Sequence, residues 1–106
     1  MEALVTEREQ DAAPVESQAQ LHTADLAIRY RDQAIRLSLQ GYFAESESYS
    51  REALRLRPDD VDILNELGVV LWRQGRSAEA EATYLRACQI EPNDFRVLTN
   101  LGLSLY

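Results

Sequence analysis

Apolar residues in the second half of the chain recur three and four positions apart, which is the spacing of one face of an α-helix. Two such faces consist of three leucines each, namely Leu64, Leu67 and Leu71, and then Leu98, Leu101 and Leu105. Between them, Ala80, Tyr84 and Ala87 form a face in which a large side chain stands between two small ones. The pattern predicts one helix on each side of Gly75 and a further helix after Pro92.

Glycine, proline and short polar residues mark the ends of these helices. Gly75 suits a left-handed C-cap of the first helix, and Ser77 is the expected N-cap of the second. Pro92 cannot continue a helix, so the second helix should end before it. Asn93 and Asp94 then stand where a side chain can cap the next helix. The sequence therefore predicts two antiparallel helices joined by a short turn.

The same arrangement recurs at an offset of 34 residues. Positions that repeat at this offset are Gly41 and Gly75, Ala53 and Ala87, Pro58 and Pro92, the leucines Leu37, Leu71 and Leu105, and the small residues Ala34, Gly68 and Gly102. A small residue on the inner face allows a second helix to approach closely. A fixed period of this length is typical of helical repeat proteins, in which each unit stacks on the next.

The unit 61–94 resembles the tetratricopeptide repeat. The residues that carry the resemblance are Leu64, Leu67, Gly68, Leu71, Gly75, Ala80, Tyr84, Ala87 and Pro92. The preceding unit, 27–60, matches less closely, because Gln33, Ser46 and Ser50 stand where leucine, alanine and an aromatic residue are expected. The resemblance implies an all-α protein, a right-handed α-solenoid of antiparallel helix hairpins with about two repeats and a truncated third helix in 95–106.

The domain organisation follows from the register of these units. Residues 14–106 are expected to form the repeat domain, with 14–26 as a helical extension or cap in front of the first repeat. Pro14 fits the first turn of a helix, and a single helix is predicted from Val15 to Gln40. Residues 1–13 are acidic and weakly patterned, and we expect them to form a flexible tail.

The leucine face of the last unit has no partner helix in this sequence. A helical solenoid needs a terminal unit with a polar outer face, which this unit lacks. The chain is therefore expected to be a piece of a longer repeat protein. In the alternative, Leu98, Leu101 and Leu105 are buried against a second copy, which gives a homo-oligomer.

The resemblance also implies a binding surface, because the first helices of successive tetratricopeptide units line a concave groove. The candidate groove residues are Arg31, Ile35, Leu39, Asn65, Val69, Trp72, Arg73, Thr99 and Leu103, with Asp62, Arg96 and Tyr106 beside them. Ile35, Val69 and Leu103 form an apolar stripe at the repeat period, and three arginines flank it. Such a groove would suit an extended or helical peptide that carries acidic groups.

Each of these residues also has a structural interpretation. The apolar stripe fits inter-repeat packing equally well, and Trp72 fits a wedge between two hairpins as well as a binding anchor. The arginines are also candidates for ion pairs with neighbouring carboxylates. A carboxylate-binding subclass of the family uses lysine and asparagine in its groove. This chain has no lysine, and Glu66 stands at one of those asparagine positions, so that mode of binding is disfavoured.

Composition and charge exclude several classes of function. The net charge of −7 disfavours nucleic acid and anionic membrane surfaces as partners. A single cysteine, Cys88, and a single histidine, His22, leave neither a disulfide nor a metal site to be expected, and no cofactor is predicted. Neither a signal peptide nor an apolar run of membrane-spanning length is visible, so the expected location is the cytoplasm.

The sequence therefore predicts a scaffold or adaptor that binds a peptide or a partner domain in its concave groove. No set of residues suits nucleophilic or acid–base catalysis, and each glycine has a place in the repeat, so an enzyme is not expected. The alternative is a non-catalytic appendage of a larger enzyme, such as a glycosyltransferase or a methyltransferase, of which this chain would be a fragment.

Overall fold

A computed structural model describes the backbone of residues 15–105 and the side-chain surroundings of residues 22–105. Within that range the chain forms only helices, five in number. They are α1 (Val15–Leu39), α2 (Phe43–Leu56), α3 (Val61–Arg73), α4 (Ser77–Ile90) and α5 (Phe95–Ser104). The all-α fold is confirmed, and α1 ends one residue before the predicted limit. The predicted tail 1–13 and the groove candidate Tyr106 lie outside the described residues.

The turns inside the two hairpins have the same geometry. Gly41 and Gly75 both adopt positive φ angles, of 88° and 80°. After α3, the amide of Arg76 donates to the carbonyl of Leu71 at 3.0 Å and the amide of Gly75 donates to the carbonyl of Trp72 at 2.9 Å. These two bonds form a Schellman motif, which satisfies carbonyls that the end of a helix leaves free. The predicted left-handed glycine cap is confirmed.

Aspartate side chains cap α3 and α5, the helices that follow Pro58 and Pro92. The Asp60 carboxylate accepts from the amide of Ile63 at the start of α3, and the Asp94 carboxylate accepts from the amide of Val97 at the start of α5. The prediction that Ser77 caps α4 is wrong, because Ser77 is the first residue inside that helix. The capping position is Arg76, whose side chain makes no capping bond. The turn is so tight that α4 begins two residues after Gly75, and the N-cap position therefore falls on Arg76 and not on Ser77.

The second hairpin closes through contact between an aromatic ring and a glycine. Ala80, Tyr84 and Ala87 of α4 are all at most 1% exposed. A Cβ atom built on Gly68 would lie only 2.7 Å from Cδ1 and Cζ of the Tyr84 ring, and closer still to Cε1. The ring therefore occupies the space that a side chain at Gly68 would need, and the two helix axes approach closely for that reason.

The first hairpin closes with polar residues at the equivalent positions. Ser46 is fully buried, and its hydroxyl donates to the carbonyl of Ala34 at 2.6 Å. Ser50, which stands at the repeat position of Tyr84, is also buried. The aromatic contact comes instead from Tyr49, whose ring lies 6.0 Å from that of Tyr30. In the first unit, the Ser46 hydrogen bond thus stands where the second unit has the small residue Ala80. The contact between Tyr30 and Tyr49 stands in place of the Tyr84 ring.

The hairpins stack so that alternate helices also touch. Each helix packs on the next along the chain, and in addition α1 contacts α3 and α3 contacts α5. The first helices of the units therefore lie side by side in one layer. This is the arrangement of a helical repeat solenoid, and it places the candidate groove residues on neighbouring helices.

Glu47 connects the first hairpin to the second. Its carboxylate accepts from Arg51 at 2.9 Å in its own helix, and from Gln74 at 3.0 Å and Arg76 at 2.6 Å in the turn between α3 and α4. Burial raises the pKa of this carboxyl, but the hydrogen bonds outweigh the burial, and the pKa lies below its ordinary value.

Candidate binding groove

A groove of about 450 Å³ runs between α1 and α3 on the layer of first helices. Its lining residues are Ile35, Ser38, Leu39, Gln40, Gly41, Phe43, Glu66, Val69 and Arg73. Four of them, Ile35, Leu39, Val69 and Arg73, are candidates that the sequence identified. The groove is open along one side. Its apolar residues are Ile35, Phe43 and Val69, which are half-buried, and Leu39, which is 82% exposed.

The other candidates lie outside this groove. Asn65 and Asn100 pair with each other across α3 and α5, with the amide nitrogen of Asn100 donating to the Asn65 side-chain oxygen at 2.8 Å. Thr99 and Leu103 are exposed on α5. The predicted surface is thus divided into two parts. One is the groove between the first two units, and the other consists of the Asn65–Asn100 pair between α3 and α5 and the exposed residues Thr99 and Leu103.

Trp72 and Arg73 form an exposed pair at the end of α3. The Arg73 guanidinium lies 5.6 Å from the centroid of the Trp72 ring, within the range of a cation–π contact. The ring is 39% exposed, so Trp72 offers part of its surface to solvent. Arg73 also lines the groove and Trp72 does not, so the aromatic ring lies outside the groove and beside one of its lining residues.

Most of the positive charge predicted along the surface is already paired. Asp62 on α3 lies 3.7 Å from Arg31 of α1 and 2.6 Å from Arg96 of α5. One carboxylate therefore bridges three successive units. Arg73 makes no ion pair with any residue in the described part of the chain. Of the three arginines proposed to flank the stripe, Arg73 is the one that remains available to an acidic ligand.

Glu66 places a negative charge inside the groove. The Ser38 hydroxyl hydrogen-bonds to its carboxyl group, but its Oε1 is buried and has no partner among the described residues. Burial raises the pKa of Glu66. Burial and the nearby negative charge of Glu66 together raise the pKa of Tyr84 to about 12.

The sequence contains a signal that places Glu66 in the groove, because Glu66 stands three residues before Val69 and therefore shares its face of α3. Its burial depends on how closely α1 lies, which the sequence does not specify. Ser38, Gln40 and Phe43 were also missed, since they belong to the end of α1 and the following turn rather than to the periodic stripe.

A second cleft, of about 400 Å³, lies between α2 and α4. Its rim carries Arg51, Arg55 and Arg86, but each of these arginines already contacts a carboxylate, at 2.9, 2.8 and 3.3 Å respectively. This cleft therefore has less free charge to offer a ligand than the groove at Arg73.

Within the residues that the structure describes, no group of three or more histidine, cysteine and acidic side chains is arranged to hold a metal ion. Nor does that part of the chain contain a helix with the length and apolar character needed to cross a membrane. Cys88 is half-buried and packs against the core of the second hairpin.

Comparison with known families agrees with the helical architecture. Residues 31–95 match a family model described as a tetratricopeptide repeat. No curated protein matches the chain. The match spans more than half of the chain, from the second half of α1 through α4. Repeats of this kind are non-catalytic modules that generally mediate protein–protein interaction. The chain therefore belongs to the tetratricopeptide repeat family.

Proposed function

We propose that the protein is a scaffold or adaptor whose groove between α1 and α3 binds a peptide segment of a partner protein. The observation that carries this proposal is the combination, within one groove, of apolar side chains and a guanidinium without an ion pair. Apolar grooves with a few polar groups that fix orientation are the usual form of a binding site.

The side chains that line the groove indicate which properties a bound peptide would have. An apolar side chain of the ligand would lie against Ile35, Leu39 and Val69. Arg73 would receive an acidic side chain or a backbone carbonyl of the ligand. A peptide supplies C=O groups along its length, so a segment that lies on the apolar residues can also reach this guanidinium.

Trp72 would extend the contact beyond the groove. Its exposed ring stands beside Arg73, and tryptophan and arginine are the residue types most enriched at the energetic centres of protein interfaces. A ligand side chain packed on this ring would exclude water from the Arg73 guanidinium and strengthen its contact with an acidic group.

The test is selection from a displayed library of random peptides on the immobilised chain, followed by calorimetric titration of the enriched peptides. Arg73→Glu, Leu39→Asp and the double change Trp72→Ala with Arg73→Glu should each weaken binding by at least about tenfold, the loss expected when a central contact is removed. Arg55→Glu is the matched control, since Arg55 is an exposed arginine of α2 outside the groove, and it should leave affinity unchanged.

Circular dichroism of each variant establishes that helicity is intact, which is expected because the changed side chains are exposed. Enriched peptides that bind Arg73→Glu and Leu39→Asp as tightly as the parent chain would refute the groove. Failure to enrich any peptide would refute it as well.

A further inference from the structure

The cleft between α2 and α4 exists because these two helices do not pack on each other. Each helix packs on the next along the chain, so α3 lies between the second helix of the first hairpin and the second helix of the next. The apolar lining of the cleft consists of Leu54, Leu64, Leu67 and Ala82. Leu64 and Leu67 belong to the core of the second hairpin, and Leu54 packs against that core. Both walls belong to complete hairpins, so the cleft results from the way the two units stack.

The charged residues that line this cleft are all arginines. They are Arg51, Arg55 and Arg86, and no acidic side chain lines the cleft within the described residues. The chain as a whole has 18 acidic residues and 11 basic ones, so a purely basic lining stands out. The repeat does not require it, because Leu85 and Gln89 stand 34 residues after Arg51 and Arg55. The arginines are therefore specific to this cleft and are not part of the repeat pattern.

Groups outside the cleft hold the arginines but leave part of each guanidinium free. Hydrogen bonds occupy Nε of Arg51, Nε and Nη2 of Arg55, and Nη2 of Arg86, whereas Nη1 of all three makes none with a described residue. The carboxylates that pair with Arg55 and Arg86 belong to Glu52 and Asp59, whose side chains are 49% and 81% exposed. Ion pairs between exposed side chains contribute little to stability. A ligand carboxylate can therefore bind the free donors or replace these pairs at a small energetic cost.

We infer that the cleft between α2 and α4 binds a second peptide segment of a partner protein, in which acidic side chains flank an apolar one. The apolar side chain would contact Leu54, and the acidic side chains would bind the three arginines. At about 400 Å³, the cleft is at the lower end of the usual range of binding pockets, about 300–1,000 Å³. It is separate from the groove, which is lined by α1, α3, the turn after α1 and the first residue of α2. The protein would then hold one segment between its first helices and another between its second helices.

A short acidic peptide fits this site better than an extended polyanion. Nucleic acid binds to basic surface that continues along its backbone, whereas this chain has a net charge of −7. Carboxylates border the cleft, since Glu47, Glu52 and Asp59 each lie within 3.3 Å of one of its arginines. The positive charge is thus confined to a stretch that a few peptide residues can cover. The apolar lining offers contact to a side chain, which a phosphate group would not use.

The experiment uses the whole chain, labelled with nitrogen-15, and a pentapeptide with blocked ends that has leucine at its centre and two aspartates on each side. Titration followed by nuclear magnetic resonance should show saturable shifts of the amide signals of Ala82 and Thr83, which line the cleft. A peptide with asparagine in place of every aspartate should bind at least about tenfold more weakly, because it keeps the shape and loses the charge.

Arg55→Glu in the protein should weaken binding of the aspartate peptide by at least about tenfold, since it reverses one of the three charges of the cleft. Arg29→Glu is the matched control. Arg29 is exposed, pairs with a carboxylate of its own helix as Arg55 does, and lines neither the cleft nor the groove. This substitution should leave the affinity unchanged.

Absence of shifts at Ala82 and Thr83 would overturn the inference, as would equal binding of the aspartate and asparagine peptides. Shifts confined to groove residues would assign the peptide to the groove instead. If deletion of residues 1–13 by itself shifted the Ala82 and Thr83 signals, the occupant would be the acidic segment of this chain. Peptides selected on the groove should bind the Arg55→Glu chain normally, so the two proposals fail independently.

Discussion

Replacing glycine by alanine at two equivalent positions should have opposite effects on stability. Gly68 and Gly102 lie one repeat apart, each inside a helix. Alanine is favoured over glycine in a helix interior by about 0.5–1 kcal/mol, because glycine loses more backbone freedom on folding. Without any neighbour, both substitutions would therefore stabilise the protein to the same small extent.

The structure separates the two positions. At Gly102 the new methyl group meets nothing within 4 Å, so only the propensity gain remains. At Gly68 it would lie 2.7 Å from two atoms of Tyr84, about 1 Å closer than carbon atoms tolerate. The ring is 1% exposed and cannot turn out of the way, so α3 and α4 must separate. Overpacking of this kind costs about 1–3 kcal/mol.

Gly68→Ala should therefore destabilise the chain by about 1–2 kcal/mol after the propensity gain is subtracted, and Gly102→Ala should stabilise it by about 0.5–1 kcal/mol. Urea unfolding followed by far-ultraviolet circular dichroism measures both, with the denaturant slope as a check that the unfolding unit is unchanged. The reasoning is refuted if Gly68→Ala is as stable as the parent chain, or if both substitutions shift the midpoint in the same direction.

Three further predictions concern single charged side chains. Burial places the pKa of Glu66 in the folded chain above its value in the unfolded chain, so the charged carboxylate lowers the free energy of unfolding as pH rises through the two pKa values. Glu66→Gln should therefore raise the free energy of unfolding by about 1 kcal/mol near pH 7 and leave it unchanged near pH 3, as urea unfolding at both pH values measures. The pKa of Glu47 is lowered in the folded chain, so the stabilisation that its carboxylate provides is present above the pKa of the unfolded chain and is lost as pH falls through the pKa of the folded chain. Glu47→Gln should lower the free energy of unfolding by about 1 kcal/mol near pH 7. An equal loss in acid would contradict the role of the charged carboxylate as a hydrogen-bond acceptor. Asp60→Ala should cost about 1 kcal/mol by removing the cap of α3, and Asp60→Asn, which keeps an accepting oxygen, should retain most of that stability in thermal unfolding.

The helices, their order and their turns could be predicted because the information for them is local. A period of 3.6 in the leucines, the glycines Gly41 and Gly75, and the aspartates two residues after Pro58 and Pro92 act within one or two turns of chain. The error at Ser77 shows the limit of local signals. A serine near a helix start is a good cap only if the turn leaves it outside the helix, and the bonds after Gly75 place it inside.

The candidate groove was only partly predictable. The repeat register identified Ile35, Val69 and Arg73, because residues at a fixed offset occupy equivalent positions. It did not indicate that Asp62 would neutralise two of the three arginines, since ion pairing depends on side-chain distances between helices. Nor did it indicate that the Asn65 and Asn100 amides would bond to each other.

The sequence by itself determined that this chain is an array of helical hairpins, because hydrophobic spacing, helix stops and the repeat period are properties of the order of residues along the chain. Only the tertiary structure decided which side chains are free to bind. The burial of the Glu66 oxygen and the unpaired charge of Arg73 result from distances between separate helices. Local sequence patterns fix the shape of each unit, whereas a binding surface is defined by what neighbouring units leave uncovered.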